Sequence, residues 1–312
     1  MQIIRPDTRI DFVKQAGFCT VVSLVLVIAS IGVMVVRGFN FGIDFVGGTV
    51  IQVSVPEEAG PVDEGTIRAA ASEAGFPGAV IVRLGPEADR SFRLNLKLSE
   101  EQRRDLSIEV INGLSKSLGT DVVPQRIESI GPRVGGEQTV RGIWALVASW
   151  GLILLYIWFR FDLRYAPGAV AALIHDVIIT AGVFVALGWE FNLQVLAALL
   201  VVIGYSLNDT IVVYDRIREN ITLRGATHLE DVVNQSINQT LSRTLLTSAT
   251  TLAVVAAILI LGGPVLRNFA AALLLGVTIG TYSTIYVASS LLIFLERRYA
   301  GLAGAASRRA ES

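Results

Sequence analysis

The sequence predicts an α-helical polytopic membrane protein with six transmembrane helices and one external α+β domain of the ferredoxin-like type. Hydrophobic residues make up 52% of its 312 residues, and the mean hydropathy of +0.58 is too high for an ordinary soluble globule. Six apolar runs have the roughly 20 residues that a helix needs to cross about 30 Å of hydrocarbon. One connection between these runs is long enough to fold as a domain of its own.

The apolar runs define the predicted spans, which cover residues 16–36, 140–159, 168–188, 193–213, 244–262 and 269–294. The first run follows Arg5, Arg9 and Lys14, as the apolar core of a signal peptide would. Its apolar part is longer than a signal peptide requires and no convincing small-x-small cleavage site follows, so we expect a retained anchor. The run contains Cys19, and a single cysteine can form neither an internal disulfide nor a CxxC metal site.

Basic residues are concentrated in the connections on one side of the predicted membrane. They are Arg5, Arg9, Lys14, Arg160, Arg164, Arg216, Arg218, Arg224, Arg297, Arg298, Arg308 and Arg309. The short connections on the other side are "GWEFN" and "GGPVLRN", and Arg267 is their one basic residue. By the positive-inside rule both termini are cytoplasmic. The basic residues form no continuous stripe and the net charge is −1, so nucleic acid is not an expected partner.

This orientation divides the chain into four parts. Residues 1–37 form the cytoplasmic N-terminus and the first span, and residues 38–138 form the external domain, which is periplasmic in a Gram-negative cell. Residues 139–296 form a bundle of five spans with a cytoplasmic loop at 214–242, and residues 297–312 form a cytoplasmic tail.

The cytoplasmic loop has a helical pattern of its own. Leu229, Val232, Val233 and Ile237 recur at helical spacing within a polar stretch. This pattern predicts a short amphipathic helix that lies against the cytoplasmic side of the bundle.

Strand and helix patterns alternate along the external domain in the order βαββαβ. The strand patterns are "GGTVIQVSV", "AVIVRLG", "FRLNLKL" and "VVPQRIESIG". Helices are expected over residues 63–75 and 99–118, and the second begins with a Ser-x-x-Gln capping pattern. This order is typical of a ferredoxin-like sandwich.

The segment "FGIDFVGG" joins the first span to the first strand. It contains Gly42, Asp44, Gly47 and Gly48. It lacks the GxxxxGK[ST] pattern of a phosphate-binding loop. Two interpretations stay open, a plain turn and a joint whose backbone needs glycine.

Asp209 lies inside an apolar run, in "GYSLNDTIVVYDRIREN", directly after Asn208. An isolated Asp at a helix centre costs about 2.5 to 3.5 kcal/mol on insertion scales, so we expect Asp209 to face the bundle interior or water. The next span enters from the same side with Arg243 near its start, at about the level of Asp209. The spacing therefore predicts that Asp209 and Arg243 can pair.

Hydroxyl residues accompany both groups. Thr247, Thr250 and Thr251 follow Arg243 at i+4, i+7 and i+8, and Ser206 and Thr210 flank Asp209 on its helix. One interpretation is a polar path for protons, because moving a guanidinium relative to a buried carboxylate changes how tightly the carboxylate holds a proton. The alternative is a static ion pair whose neighbouring hydroxyls satisfy the backbone.

A second carboxylate, Asp176, follows His175 in the middle of the third span. A second relay group and a buried hydrogen-bonding group are equally compatible with its position. The four tryptophans lie mostly near span ends and are expected to anchor the protein at the membrane interfaces: Trp144, Trp150, Trp158 and Trp189.

Three motifs in order, "FNFGIDFVGG", "GYSLNDTIVVYDRIREN" and "NQTLSRTLLTS", resemble the SecF family, the smaller membrane subunits of the bacterial SecDF protein-export accessory complex. Together with six spans and an external domain after the first, the resemblance covers nearly the whole chain. SecF belongs to the resistance-nodulation-division superfamily of proton-driven machines, and its polar residues fall on Asp209 and Arg243, with Asn208 adjacent.

The resemblance implies an accessory subunit and not an enzyme, located in the bacterial cytoplasmic (inner) membrane and surrounded by lipid. The implied partners are SecD, which would complete a twelve-helix bundle, the SecYEG channel and the preprotein in transit. The resemblance also implies that proton flow into the cytoplasm drives the external domain, with the transmembrane proton gradient in place of any cofactor.

Two other classes of protein are compatible with parts of the sequence. An intramembrane serine protease would use Ser206 and His175, but "GYSLN" is not a nucleophile elbow and Ser206 lies within a helical pattern. A self-contained proton-coupled exporter of lipids or small molecules would need a substrate pocket, which a single external domain of about this size supplies poorly.

Overall fold

The computed structural model describes residues 10–84, 89–96, 106–160, 165–224 and 229–298. Its helices are α1 (Phe12–Arg37), α2 (Ile43–Val46), α3 (Glu64–Glu73), α4 (Leu106–Leu118), α5 (Pro132–Arg160), α6 (Ala166–Leu187), α7 (Leu193–Arg224), α8 (Leu229–Leu261) and α9 (Gly263–Ser283). Its strands are β1 (Gly48–Ser54), β2 (Val80–Leu84), β3 (Ser91–Leu96) and β4 (Val123–Ile130).

Within these ranges, six helices are long and apolar enough to cross a membrane: α1, α5, α6, α7, α8 and α9 with its continuation to Arg298. Each predicted span overlaps one of them along nearly its whole length. The chain is therefore a multi-pass membrane protein by the length and composition of its helices.

Helix α6 lies at the centre of the bundle. In its apolar 18-residue stretch 61% of the residues are buried, whereas the share is 11% in the corresponding stretches of α1 and α5. Its neighbours include α1, α7 and α9. The outer faces of α1, α5 and α8 carry exposed apolar side chains such as Phe18, Phe159 and Ile260, which are suited to lipid or to another membrane protein.

Small residues bring α7 and α9 close together. A Cβ at Gly276 would overlap the side chain of Val202, and one at Gly280 would lie 3.0 Å from the Cβ of Ser206. Membrane helices depend on such close packing because lipid gives no hydrophobic drive for their association. The two glycines therefore set the distance between these helices.

Helix α9 continues through one π-helical turn, Thr284–Ala288, and then as an α-helix to Arg298. The fully buried Tyr214 of α7 donates a hydrogen bond to the carbonyl oxygen of Ala288 at 2.9 Å. A Cβ at Gly168 of α6 would overlap the Tyr214 hydroxyl, so this glycine makes room for that contact. The π turn thus has a side-chain partner on α7.

The segment 214–242, predicted as a loop with a separate amphipathic helix, has a different structure. Val233 and Ile237 do not form a separate helix, because they belong to the first turns of α8, a continuous helix of 33 residues. Both pack against residues of α6 and α7 in one apolar cluster. Asn220 near the end of α7 donates hydrogen bonds to Ser236 Oγ at 2.8 Å and to Gln239 Oε1 at 2.9 Å, which joins the two helices.

The external domain is a four-stranded antiparallel sheet with strand order β2-β3-β1-β4. Helices α3 and α4 cover one face of it, and Asp63 caps α3 by accepting a hydrogen bond from Thr66 N at 2.7 Å. The core between helices and sheet includes Ile51, Val53, Ile67, Phe92, Leu94, Val110 and Leu114. The order β1-α3-β2-β3-α4-β4 is consistent with the ferredoxin-like prediction; the Ser-x-x-Gln pattern before α4 lies outside the described residues.

The α7–α9 contact predicts opposite effects for two glycine substitutions. Gly276→Ala should lower the thermal stability of the purified chain, because overpacking costs about 1–3 kcal/mol. Gly204→Ala should leave stability unchanged or raise it by up to about 1 kcal/mol, because Ala favours the helix and no atom lies within 4 Å of the added Cβ. Thermal unfolding in detergent measures both, and equal stabilities would contradict the packing role of Gly276.

Candidate functional site

Asp209 is buried within α7, with 8% of its surface exposed. Its Oδ1 accepts a hydrogen bond from Thr244 Oγ1 of α8 at 2.8 Å. Its Oδ2 is buried and has no hydrogen-bond partner within the described part of the chain. A charged carboxylate with one unsatisfied oxygen is costly in such a place, and a proton on Oδ2 removes the charge.

Arg243 precedes Thr244 on α8, but its side chain is exposed and forms no ion pair with Asp209 within 4.0 Å in the described structure. The expected pair is therefore replaced by the Thr244 hydrogen bond, with Arg243 acting on Asp209 at longer range. Arg243 instead lines a cleft of about 290 Å³ whose other walls are Tyr156, Ile211, Val212, Asp215, Arg216, Glu219 and Thr240. Asn208, the neighbour of Asp209, is exposed on the outer face of α7.

The hydroxyls expected along a polar path separate into two groups. Thr247 and Thr250 lie on an exposed face of α8 and donate to carbonyl oxygens of their own helix. Thr210 lies in the core and shares a 3.0 Å hydrogen bond with Thr284 of α9. Ser206 also faces the core, where it contacts the second carboxylate. The structure thus brings Ser206 and Thr210 into the bundle interior, whereas Thr247 and Thr250 are exposed and Thr251 is half-buried.

Asp176 is a fully satisfied carboxylate at the meeting point of three helices. Its Oδ2 accepts hydrogen bonds from Ser206 of α7 at 2.6 Å and from Ser283 of α9 at 2.9 Å. Its Oδ1 lies 2.9 Å from His175 Nδ1. Because every side-chain oxygen has a partner, this geometry is that of a hydrogen-bonded connection between α6, α7 and α9.

The same contacts bear on the protease alternative. The Ser206 hydroxyl donates a hydrogen bond to Asp176 Oδ2, and the buried Nε2 of His175 has no partner in the described structure. A serine nucleophile needs a base within hydrogen-bond reach, and His175 does not take that position.

The "FGIDFVGG" segment forms a joint between the external domain and the bundle. Asp44 Oδ2 accepts a hydrogen bond from the backbone nitrogen of Leu193, the first residue of α7, at 3.0 Å. Gly42 N donates to Phe191 O at 2.9 Å. Gly47 and Gly48 have φ angles of 75° and 143°, which favour glycine. A Cβ at Gly48 would also lie 2.7 Å from the backbone oxygen of Leu96.

Sequence reasoning did not find Thr244, Ser283 or Thr284. Spacing along α8 from Arg243 selects positions at i+4 and i+7, and the true partner of Asp209 is the residue next to Arg243. Ser283 and Thr284 lie in the hydroxyl-rich stretch "GTYST" within an apolar run. This cluster of hydroxyls in an apolar segment is the sequence feature that could have indicated buried polar contacts. Which of these hydroxyls meets a carboxylate depends on how the helices are rotated against each other.

The fold and the site together define a class of membrane protein. Its features are a bundle of six helices long and apolar enough to span a membrane, a buried carboxylate with one unpartnered oxygen in the described structure, and an α+β domain between the first two of these helices. Two family models match this chain, "Protein export membrane protein SecD/SecF, C-terminal" over residues 110–298 and "SecD/SecF GG Motif" over residues 32–55. The chain therefore belongs to the SecD/SecF family of protein-export membrane proteins.

Curated relatives agree with this family. The chain is 44% identical to a protein translocase subunit SecF of Vibrio alginolyticus over 94% of this chain and 92% of the relative. It is 42% identical to a protein translocase subunit SecDF of Thermus thermophilus, over 94% of this chain but 39% of that longer relative.

Solved structures show the same relation. A crystal structure of SecDF from Thermus thermophilus matches with a TM-score of 0.83 at 41% identity, over 95% of this chain and 40% of that one. SecDF in a super-membrane-facing form matches with a TM-score of 0.72, also at 41% identity, over 98% of this chain and 41% of that one. The chain thus spans about two fifths of the length of the SecDF chains it matches.

The joint predicts a local effect of Gly48→Val. We expect the chain to insert at normal levels while amides at the β1–β3 pairing near Thr49 exchange faster. Backbone strain of this kind costs about 1–3 kcal/mol, and the new Cβ meets the Leu96 oxygen. Hydrogen exchange by mass spectrometry measures the effect. Gly136→Val is the control, because nothing lies within 4 Å of its Cβ. Unchanged exchange in Gly48→Val would count against a special backbone role.

Proposed function

We propose that this chain is an accessory subunit of the Sec protein translocase that uses the transmembrane proton gradient, without a cofactor, to assist preprotein export. The observation that carries this proposal is Asp209, a buried carboxylate with one oxygen held by Thr244 and the other without a partner in the described structure. The names of the SecF and SecDF relatives support the role in protein translocation.

A protonatable group inside the bundle makes the gradient usable. Moving one elementary charge across the membrane potential is worth about 2.3 kcal/mol per 100 mV. Asp209 gains or loses a charge at Oδ2, and Arg243, in the adjacent cleft, stabilises the ionised form. Thr244 holds Oδ1, so the carboxylate keeps its orientation in both protonation states. Asp209 is thus proposed as the relay group and Arg243 as the group that tunes it.

Helix α7 is a direct physical link from Asp209 to the external domain. It runs without interruption from Leu193 to Arg224, and its first amide is held by Asp44 of the joint. A shift of α7 when Asp209 changes charge would therefore reach the joint. This linkage supports the proposal that proton transfer moves the external domain, which we take to be a ferredoxin-like sandwich.

The proposed partner is a SecD subunit, because the Thermus relative is named as one SecDF chain and this chain spans about 40% of it. The polar groups left at the surface of the bundle, Asn208 and Arg243, lie where a second set of helices can complete the relay. The SecYEG channel and the preprotein in transit are the further partners. Asp176 is proposed as a structural group, since its oxygens are already satisfied.

We propose a cytoplasmic (inner) membrane location with both termini in the cytoplasm. In a Cys19→Ser background, a cysteine at the exposed Ile108 of α4 should react with an impermeant maleimide added to intact spheroplasts. A cysteine at the exposed Leu223 near the end of α7 should react only after lysis. The reverse labelling pattern would contradict this topology.

Asp209→Asn tests the relay directly. Asn keeps an oxygen that accepts the Thr244 hydrogen bond but cannot titrate, so the complex should assemble at normal levels. It should lose the proton-dependent stimulation of preprotein export, measured in inverted vesicles with and without a proton gradient. Wild-type stimulation in this variant would exclude Asp209 as relay.

Four further variants separate a relay role from a structural role. Asp176→Asn should lower abundance or thermal stability, since disturbing a satisfied buried network costs about 1–3 kcal/mol. Thr244→Val should alter the proton dependence of export, whereas Thr247→Val should not, because Thr247 bonds only within α8. The double change Asp209→Asn with Arg243→Gln should assemble and remain without proton-dependent stimulation.

A further inference from the structure

His175 is a buried imidazole that the proposed relay does not use. It lies in the middle of α6, and 5% of its surface is exposed. Its Nδ1 lies 2.9 Å from Asp176 Oδ1, while its Nε2 has no hydrogen-bond partner within the described part of the chain. Imidazole is the side chain whose ordinary titration falls near neutral pH. A ring nitrogen that is both buried and unpartnered therefore calls for an explanation.

The contacts of Asp176 indicate which atoms of the pair carry protons. Ser206 and Ser283 both donate to its Oδ2. The distance from Ser206 Oγ is 2.6 Å, which lies in the range of about 2.5–2.7 Å for a hydroxyl that donates to an ionised oxygen. An ionised carboxylate only accepts hydrogen bonds, so the proton between the two side chains belongs to His175 Nδ1. The Nε2 atom then holds a free lone pair, and the pair as a whole carries one negative charge.

The helices on the α1 and α9 side bring no cation to this pair. Among the described residues, His175 is the one basic side chain with a nitrogen within 4.0 Å of an Asp176 oxygen. Its ring stacks on that of Tyr282 of α9, with centroids 6.3 Å apart, and the ring of Tyr286 follows at 5.2 Å from Tyr282. The Tyr282 hydroxyl donates to the backbone oxygen of Cys19 of α1 at 2.8 Å. Phenols and thiols supply no positive charge, so the charge of the pair is not compensated from this side.

The titratable groups of α7 and α5 are directed elsewhere. Asp209 of α7 accepts its hydrogen bond from Thr244 of α8, and Tyr205 of α7 donates to Ser248 of α8 at 3.4 Å. Arg141 of α5 forms its ion pair within its own helix. The negative charge of the pair therefore has to be balanced by a proton that binds to the pair itself.

We propose that His175 is a proton-binding residue of the bundle, which takes up a proton on Nε2 while Asp176 stays ionised. The lone pair of Nε2 binds the proton, the ring becomes an imidazolium, and the pair changes from one net negative charge to none. The added N–H has no acceptor in the described structure. A net charge among apolar helices nevertheless costs more than one unpaired N–H, so the exchange is favourable.

This site is distinct from the proposed relay group. His175 stacks on a residue of α9, whereas Asp209 is bound to a residue of α8. Ser206 precedes Asp209 by one turn of α7 and donates to Asp176, so α7 contacts both places. The inference does not rest on a role in export, because proton binding at His175 is a property of the chain itself.

Nitrogen NMR of the full chain in lipid nanodiscs tests the proposal. The sequence contains two histidines, His175 and His228, so the variant His228→Gln leaves one imidazole to observe. With isotope-labelled histidine, the ring nitrogen signals distinguish a proton on Nδ1, a proton on Nε2 and a proton on both. Spectra are recorded between about pH 5 and 9, which brackets the ordinary imidazole titration at about 6.5. We expect the Nδ1–H form in base and the doubly protonated form in acid.

Two further variants in the same background make the test specific. Asp176→Asn removes the negative charge, so His175 should remain neutral over the whole range, because burial disfavours an imidazolium without a counter-ion. Asp209→Asn is the matched control and should leave the titration of His175 in place. If Asp176→Asn lowers the yield of folded chain, the measurement with Asp176 present still decides the proposal.

Three outcomes would overturn the proposal. They are a ring that keeps one protonation state across the range, an Nε2–H form that places the proton of the pair on Asp176, and a titration that survives Asp176→Asn. Loss of the titration in Asp209→Asn would contradict a separate site. None of these measurements uses preprotein export, so a failure at His175 is distinguishable from a failure of the proposed relay at Asp209.

Discussion

A carboxylate surrounded by apolar helices must either be fully hydrogen-bonded or be able to lose its charge, and the bundle is organised around this constraint. Asp176 meets it in the first way, through two serine hydroxyls and a histidine. Asp209 meets it in the second way, because one oxygen has a donor and the other has none in the described structure. Asp176 and the proposed relay group Asp209 thus differ in their hydrogen-bond partners, although both are buried.

Helix α7 takes part in each of these arrangements. Its face towards α9 carries Ser206, Thr210 and Tyr214 at intervals of four residues, and each makes a polar contact in the core. Asp209, one residue before Thr210, is turned towards α8. The first amide of α7 is bound by Asp44 of the joint. One helix therefore combines the core polar contacts, the proposed relay group and the connection to the α+β domain, and any displacement of it is shared by all three.

The sequence predicted the spans and the order of the strands because both depend on local patterns. The length of an apolar run indicates a span, and the alternation of apolar and polar residues indicates a strand. It did not predict that α8 begins at Leu229, because a polar stretch with helical spacing suits a separate amphipathic helix as well as the extension of a longer one. Thr244 was missed because spacing within one helix says nothing of its rotation against α7. The Arg93–Glu190 ion pair was missed as well, because it forms only when β3, far away in the chain, approaches the α6–α7 connection.

The π turn at Thr284–Ala288 also fixes which side of the last helix meets its neighbours. Each residue of an α-helix turns the chain by about 100°, so one additional residue in a turn rotates everything that follows by that angle. Thr284, the first residue of the turn, reaches α7, and Leu292 after the turn is buried in the cluster formed with α6 and α7. Removing a single residue here would leave the composition of the helix almost unchanged and would still turn Leu292 out of that cluster. We therefore expect this segment to tolerate a conservative substitution more readily than a change in its length.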